Sequence, residues 1–226
     1  LADAYCERGI AYFGLDDQNA AGADLDLAVK TAPAVGGIYS CRGELRFNTG
    51  DFAGAVADFS KALTLGAKPG DAYYRRGQAR YYAGQYEAAA ADLARGADAK
   101  FTSEGAGAAH YAQLWQIWAS QRAGQAVPEK ITAQAKAEAD GAWPRSAIAM
   151  MVGLKTPEQI LAEINALAGD EREMNLSEAW FYVGQYWLSR GNTDEARKAF
   201  EACRRQGILM YIEHIAAAHE LKRIAK

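Results

Sequence analysis

The sequence has no excess of charge of either sign. Twenty-five lysines and arginines stand against 28 aspartates and glutamates, which leaves a formal net charge of −3. Phosphate binding needs a clustered surplus of basic side chains, so this balance argues against a nucleic-acid-binding protein. The same balance gives no support for attachment to an anionic membrane surface.

Proline and long apolar runs are also scarce. Five prolines occur in 226 residues, β-branched runs are rare and alanine is abundant. Because alanine loses no side-chain entropy in a helix, this composition predicts an all-α fold. No apolar stretch approaches the roughly 20 residues that a membrane-spanning helix needs. The chain opens at Leu1 inside a helical pattern. We interpret this as a trimmed N-terminus and expect membrane attachment only through a lipid anchor upstream.

Cysteine is limited to three widely spaced residues, Cys6, Cys41 and Cys203. They form no CxxC motif and have no adjacent histidine. An odd number of cysteines cannot pair completely within one chain. We therefore expect small, buried helix residues, with a reactive thiol or a zinc site as the alternative.

What the sequence does contain is an internal repeat with a period of about 34 residues. Two dipeptides, one aromatic position and one alanine position all recur at this spacing. They are Arg8-Gly9, Arg42-Gly43 and Arg76-Gly77; Asp24-Leu25, Asp58-Phe59 and Asp92-Leu93; Tyr5, Tyr39 and Tyr73; and Ala21, Ala55 and Ala89. Turn signals fall between the two halves of each unit, as at Gly50-Asp51 and Gly84-Gln85.

A repeat of this period with glycine and alanine at fixed helical positions resembles the tetratricopeptide repeat. Glycine inside a helix costs about 1 kcal/mol relative to alanine, which is tolerable where it lets a partner helix approach closely. The predicted fold is an all-α, right-handed tetratricopeptide-repeat solenoid of helix-turn-helix pairs. Residues 1–103 would form three regular repeats.

Each of the first three repeats carries an arginine just before the glycine and an aspartate at one constant offset further along the chain. This offset crosses from the first helix of the unit, helix A, to the second, helix B. We predict intra-repeat ion pairs, partly buried; the alternative is an arginine ladder for an acidic ligand. The pairs are Arg8 with Asp24, Arg42 with Asp58, and Arg76 with Asp92. A further repeat is predicted late in the chain, within residues 171–226, and there Val183 and Ala199 take these two places.

In such solenoids the A helices line a concave face, which is the usual surface for protein ligands. The repeat register predicts a protein-binding groove on that face, with Phe13, Phe47 and Tyr81 as an aromatic stripe. The alternative is that these aromatic rings pack between neighbouring A helices. The predicted groove residues are Ile10, Phe13, Glu44, Phe47, Tyr74, Gln78, Tyr81 and Tyr82.

The repeat register breaks after Phe101. Residues 104–170 are predicted to form degenerate helical-pair units. Residues 171–226 would form a late repeat and a C-terminal capping helix, all in one continuous solenoid. Thr156 and Thr193 are the expected N-caps of their helices, and Gly169-Asp170 is expected to end a helix. The helices predicted beyond residue 104 span 106–122, 129–139, 145–152, 157–167, 173–189, 193–205 and 209–223.

The second half also resembles one group of bacterial proteins, the new lipoprotein I (NlpI) family. The resemblance covers about residues 110–222 and rests on a few short segments. They are Trp143-Pro144, Val152-Gly153, Thr156-Pro157-Glu158, Ser177-Glu178-Ala179, the run from Phe181 to Tyr186, and Glu213-His214. The chain has no lipobox cysteine, and no residue of its front repeats corresponds to a known protease contact.

This resemblance implies an all-helical lipoprotein anchored in the outer membrane and facing the periplasm, often as a homodimer. It also implies an adaptor that brings peptidoglycan hydrolases to a processing protease. A cytoplasmic assembly or chaperone-like module is the alternative, since free cysteines suit a reducing compartment.

No catalytic, cofactor or metal site is predicted. His214 and His219 are five residues apart and point about 140° away from each other on a helix, which does not suit a zinc pair. No nucleophile–base motif or phosphate loop is present. An enzyme with its site in the irregular middle, around Trp115, Glu138 and Trp143, is the weaker alternative.

Overall fold

The computed structural model describes residues 1–104, 106–138, 141, 143–206 and 212–225. All regular structure in these ranges is helical, which confirms the all-α prediction. The chain divides into two compact units, Leu1–Ala119 and Ser120–Lys226. The finer division into three segments stays a prediction. No helix in the described ranges is both long and apolar enough to cross a membrane.

The first unit contains three consecutive helix pairs and most of a seventh helix. Its helices are α1 (Ala2–Gly14), α2 (Gln18–Thr31), α3 (Gly36–Thr49), α4 (Phe52–Thr64), α5 (Pro69–Tyr82), α6 (Tyr86–Glu104) and α7 (Ala106–Arg122). The last three residues of α7 belong to the second unit. Within each pair, the two helices pack side by side along their length.

The second unit is less regular. Its helices are α8 (Glu129–Ala137), α9 (Arg145–Met151), α10 (Pro157–Asn165), α11 (Gly169–Ser189), α12 (Thr193–Arg205) and α13 (Ile212–Ile224). The pair α11 and α12 lies where the late repeat is predicted, and α13 packs against both of its helices. Residues 139 and 209–211, which two of the predicted helices include, lie outside the described residues.

Small residues bring the two helices of each pair together. A Cβ on Gly77 would come within 2.6 Å of the Leu93 side chain, and one on Gly184 would meet ring carbons of Phe200 at 2.6 and 2.8 Å. Ala21, Ala55 and Ala89 are completely buried. The glycines therefore sit inside helices because a side chain there would force the partner helix away.

The turn inside each of the first three repeats contains a left-handed residue, and in the first two repeats an aspartate caps the helix that follows. Gly50 and Gly84 have φ of 88° and 76°, and Asp16 takes the equivalent position in the first repeat with φ of 61°. Aspartate is one of the few non-glycine residues that tolerate this conformation. Asp17 and Asp51 then cap α2 and α4 by accepting hydrogen bonds from backbone N–H groups.

Several predicted helix ends in the second unit were wrong by a few residues. Thr156 does cap α10, in a capping box with Gln159. Thr193, however, is the first residue of α12, and the cap is Asn192, whose side chain accepts from Glu195 N–H. Gly169 begins α11 rather than ending α10. The reason is that caps and glycines mark a boundary without saying on which side the helix lies.

Candidate protein-binding site

The predicted arginine and aspartate side chains meet in two-point ion pairs across each helix pair. Arg42 donates from Nε and Nη2 to Asp58 at 2.9 and 2.8 Å, and Arg76 donates to Asp92 at 2.7 and 2.8 Å. Arg8 contacts Asp24 in the same way at 2.5 and 2.7 Å. Such fork-like pairs are the stronger kind of charged hydrogen bond. Hydrogen bonding by Arg8 lowers the pKa of Asp24 below its ordinary value.

The arginine network is wider than the sequence register predicted. Arg46 adds a second cation to Asp58 at 2.9 Å, and Arg80 adds one to Asp92 at 2.7 Å. Arg42 also reaches back to Asp26 of the preceding repeat at 2.8 Å. The signal for these contacts was present, because Arg46 and Arg80 hold the same position in successive repeats and both precede a turn.

These arginines are committed to carboxylates within the protein. Only 13% of the Arg76 side chain and 17% of the Arg42 side chain are exposed. The hydrogen bonds that Arg76 donates to Asp92 and Arg42 donates to Asp58 raise the pKa of each guanidinium above its ordinary value. The geometry favours intra-protein ion pairs over an arginine ladder for an acidic ligand.

Three of the eight predicted groove residues do not face an open groove. Phe47, Gln78 and Tyr81 are buried. Phe47 makes an edge contact with Tyr82 at 5.8 Å between ring centroids, and Tyr81 makes one with Trp115 at 5.6 Å. Placing these three residues in an open groove was therefore wrong, because all three are buried, and Phe47 and Tyr81 pack against aromatic rings of neighbouring helices.

The remaining groove residues are accessible to different degrees. Ile10 is 59% exposed, and Phe13, Glu44, Tyr74 and Tyr82 are half-buried. Tyr82 stacks on Phe52 at 5.1 Å and belongs to the aromatic cluster around Tyr81. The most exposed apolar residue of the predicted groove, Ile10, therefore lies in the first repeat.

A concave pocket of about 200 Å³ opens between α1 and α3, the A helices of the first two repeats. Its wall is mainly apolar, and three of the predicted groove residues contribute to it. The lining residues are Gly9, Ile10, Phe13, Leu25, Cys41, Glu44, Leu45 and Asn48. We refer to this feature as the α1–α3 pocket.

One carboxylate stands at the edge of this pocket. Glu44 forms an ion pair with Arg75 on α5, with 2.8 Å between Oε1 of Glu44 and Nε of Arg75. Burial in the concavity raises the pKa of Glu44 above its ordinary value; Arg75 opposes the shift and Asp71 adds to it. Asp71 is itself paired with Lys100 at 2.6 Å. The polar edge near α5 is thus internally compensated.

A disulfide between Cys6 and Cys41 joins α1 to α3, with 6.4 Å between the two Cα atoms. The expectation of buried, unpaired cysteines was therefore wrong for this pair. It holds for Cys203, which is free and buried, and burial raises the pKa of its thiol to about 12. The signal lay in the spacing of 35 residues, one more than the repeat, which brings both cysteines to adjacent A helices.

Some of the polar groups buried in the second unit connect its helices by hydrogen bonds. Tyr182 donates to Glu213 at 2.9 Å, and Gln185 donates to Glu220 at 3.1 Å, so α11 is tied twice to α13. His214 is buried beside them, and burial lowers its pKa. Among the described residues, no three His, Cys, Asp or Glu side chains are grouped as metal ligands.

Comparison with known proteins identifies the repeat. Residues 2–35 match the family model of the tetratricopeptide repeat. The matched segment covers α1, α2 and the turn between them. Together with the helix pairs that follow at the same period, it shows that the chain carries tetratricopeptide repeats, a class of domain that binds proteins or peptides. A search of curated proteins finds no match to this chain.

Proposed function

We propose that this protein is a non-catalytic adaptor that holds a segment of a partner protein in the α1–α3 pocket. The observation that carries the proposal is an apolar concavity on the A helices, beside a strongly exposed Ile10. Its volume of about 200 Å³ is below the roughly 300–1,000 Å³ of sites for drug-sized ligands. It suits one or two apolar side chains of a docked segment, which is how short helices and peptides anchor in grooves.

The compartment we propose is the bacterial cell envelope. Disulfides persist in oxidising environments such as the periplasm and are rare in the cytosol. The Cys6–Cys41 bond therefore favours the envelope over a cytoplasmic assembly module. The sequence resemblance to the new lipoprotein I family supports the same location, with a lipid anchor to the outer membrane. Peptidoglycan hydrolases and a processing protease are the partners that this resemblance suggests.

The proposal that the protein is not an enzyme rests on the character of the pocket. Its one ionisable wall residue, Glu44, is already paired with Arg75, and the remaining lining is apolar apart from Asn48. A general acid or base needs a free proton-transfer partner within hydrogen-bond reach of the substrate. Apolar walls serve binding instead.

Peptide selection tests the pocket. A displayed library of short peptides would be selected on the wild-type protein and then measured against Ile10→Asp and Leu27→Asp. Both residues are exposed and apolar, but Leu27 lies on the B helix α2, away from the pocket. We expect selected peptides to lose binding to Ile10→Asp, by about tenfold or more, because a charge would be desolvated at the contact.

Unchanged binding to Ile10→Asp, or an equal loss with Leu27→Asp, would show that the α1–α3 pocket does not bind the peptides.

The same purified protein allows a separate check of the homodimer that the family resemblance implies. Sedimentation equilibrium would measure the mass in solution, and a monomer at micromolar concentration would contradict a dimer.

A further inference from the structure

Helix α1 carries an acidic stripe that leads to the α1–α3 pocket. Asp3, Glu7 and Ile10 follow one another at helical spacings of four and three residues, and all three side chains are exposed. Residues at these spacings share one face of a helix. Ile10 is also part of the pocket wall. The two carboxylates therefore stand on the same face of α1 as the apolar concavity.

The two carboxylates of this stripe lack an ion-pair partner in the described part of the chain, unlike the other charged groups near the pocket. Glu44 is paired with Arg75, and Asp71 is paired with Lys100. The neighbouring cation on α1, Arg8, is held by Asp24 of α2. In the part of the chain that the structure describes, no cation pairs with Asp3 or Glu7. The uncompensated charge beside the pocket is therefore negative.

We infer that the α1–α3 pocket binds a cationic amphipathic segment, in which an apolar anchor is accompanied by lysine or arginine. This inference rests on the proposed function and names the class of partner. Charge complementarity of this kind steers association and selects among apolar partners, while the buried anchor supplies most of the affinity.

The spacing on α1 specifies the arrangement of the ligand. At 1.5 Å per residue, Glu7 lies about 4.5 Å and Asp3 about 10.5 Å from Ile10 along the helix axis. A helical ligand lying along α1 would need its cations about one and two turns from the anchor. An extended ligand, at about 3.3 Å per residue, would need them about one and three residues away.

Binding of synthetic peptides tests the inference. One helical peptide carries a leucine anchor with lysines one and two turns away; a second has glutamates in place of the lysines; a third keeps the lysines but has alanine as the anchor. Fluorescence anisotropy would give the Kd of each at low and moderate salt. We expect the lysine–leucine peptide to bind most tightly, and its affinity to fall as salt rises.

Protein variants test whether the preference for the lysine–leucine peptide depends on the acidic stripe. The double variant Asp3→Asn with Glu7→Gln keeps the side-chain shapes and removes both charges. It should weaken binding of the lysine–leucine peptide by about tenfold, the combined effect of two exposed charge pairs. The matched control is Glu87→Gln, which removes an exposed carboxylate from the B helix α6 and should change nothing.

The outcomes separate this inference from the proposed function. If the glutamate peptide binds as well as the lysine peptide, and both lose affinity with Ile10→Asp, the charge inference is wrong and the pocket stands. If Ile10→Asp leaves the lysine–leucine peptide bound as before, the pocket itself is wrong. If no peptide binds and Ile10→Asp instead abolishes self-association, the occupant is a second copy of the chain and the cationic partner is excluded.

Discussion

At the scale of single residues, the close packing of paired helices depends on glycines, which have no side chain. Gly184 lies in the interior of α11, where glycine is disfavoured by about 1 kcal/mol relative to alanine. A glycine is needed at this position because the ring of Phe200 occupies the space that a methyl group would fill. Gly77 and Leu93 repeat the arrangement in the first unit. The pair α11 and α12 therefore has the same kind of glycine-mediated contact as the pair α5 and α6.

The substitution Gly184→Ala tests this contact, by comparison with a glycine that has open space around it. The methyl group would overlap the Phe200 ring, and we expect a loss of about 1–3 kcal/mol in the free energy of unfolding. Gly22→Ala is the control, because its Cβ would meet nothing within 4 Å in helix α2. That variant should gain up to about 1 kcal/mol. Urea unfolding measures both, and a change of the same sign in the two variants would contradict the packing argument.

Residue-level signals of another kind were only partly readable in the sequence. Thr156 caps α10 as predicted, whereas Asn192 rather than Thr193 caps α12. Asparagine is the better N-cap of the two, so cap propensity alone favours Asn192, but the difference between adjacent candidates is small. The choice depends on which residue leaves the helical conformation, and neighbouring helices determine that.

At the scale of helices, the arginine–aspartate ion pairs of the first unit connect one helix to the next. Asp58 on α4 receives both Arg42 and Arg46 from α3, and Arg42 also contacts Asp26 on α2. One arginine thus links helices of two successive repeats. In α11 and α12, Val183 and Ala199 occupy the corresponding places, and both are buried. The ion pair and the apolar pair are alternative ways to fill one interhelical position.

Asp58→Ala should therefore be costly. It leaves Arg46 and one end of Arg42 without their carboxylate in a partly buried position, where loss of one partner costs about 3–5 kcal/mol. Asp3→Ala removes an exposed aspartate without an ion pair in the described part of the chain and should cost about 0.5 kcal/mol or less. Thermal unfolding of the two variants makes the comparison, and equal shifts in Tm would show that the ion pair contributes little.

At the scale of the whole molecule, the two compact units are stabilised by different means. The first has regular helix pairs, arginine–aspartate ion pairs and a disulfide between α1 and α3. The second has a short helix, α9, of which all but Arg145 is buried, and hydrogen bonds from α11 to buried glutamates of α13. Only the first unit contains the α1–α3 pocket.

The disulfide should contribute measurably to stability. Chain entropy for a bond that closes a separation of 35 residues predicts about 3–4 kcal/mol relative to the reduced protein. Dithiothreitol should lower the Tm of the wild-type protein and leave that of Cys6→Ser unchanged. Cys203→Ala should keep the response to reductant, because Cys203 is unpaired. A wild-type Tm that is insensitive to dithiothreitol would contradict the stabilising role of the bond.

The sequence by itself determined the repeat, the helical class and the helix pairs. These features follow from a constant repeat period, from glycines and alanines at fixed positions, and from turn residues, all of which act through local or adjacent contacts. The partners Arg42 and Asp58 were predictable for the same reason, since one constant offset relates the two helices of every regular repeat. Fold information of this kind is periodic and therefore visible in a single chain.

Only the tertiary structure decided which groove residues are accessible and which cysteines pair. Phe47 and Tyr81 occupy groove positions in the repeat register, yet neighbouring side chains such as Tyr82 and Trp115 cover them. Ile10, at another position of the same register, stays exposed beside the pocket. Burial depends on what the next element brings into contact, and that is a property of packing across repeats rather than of the period.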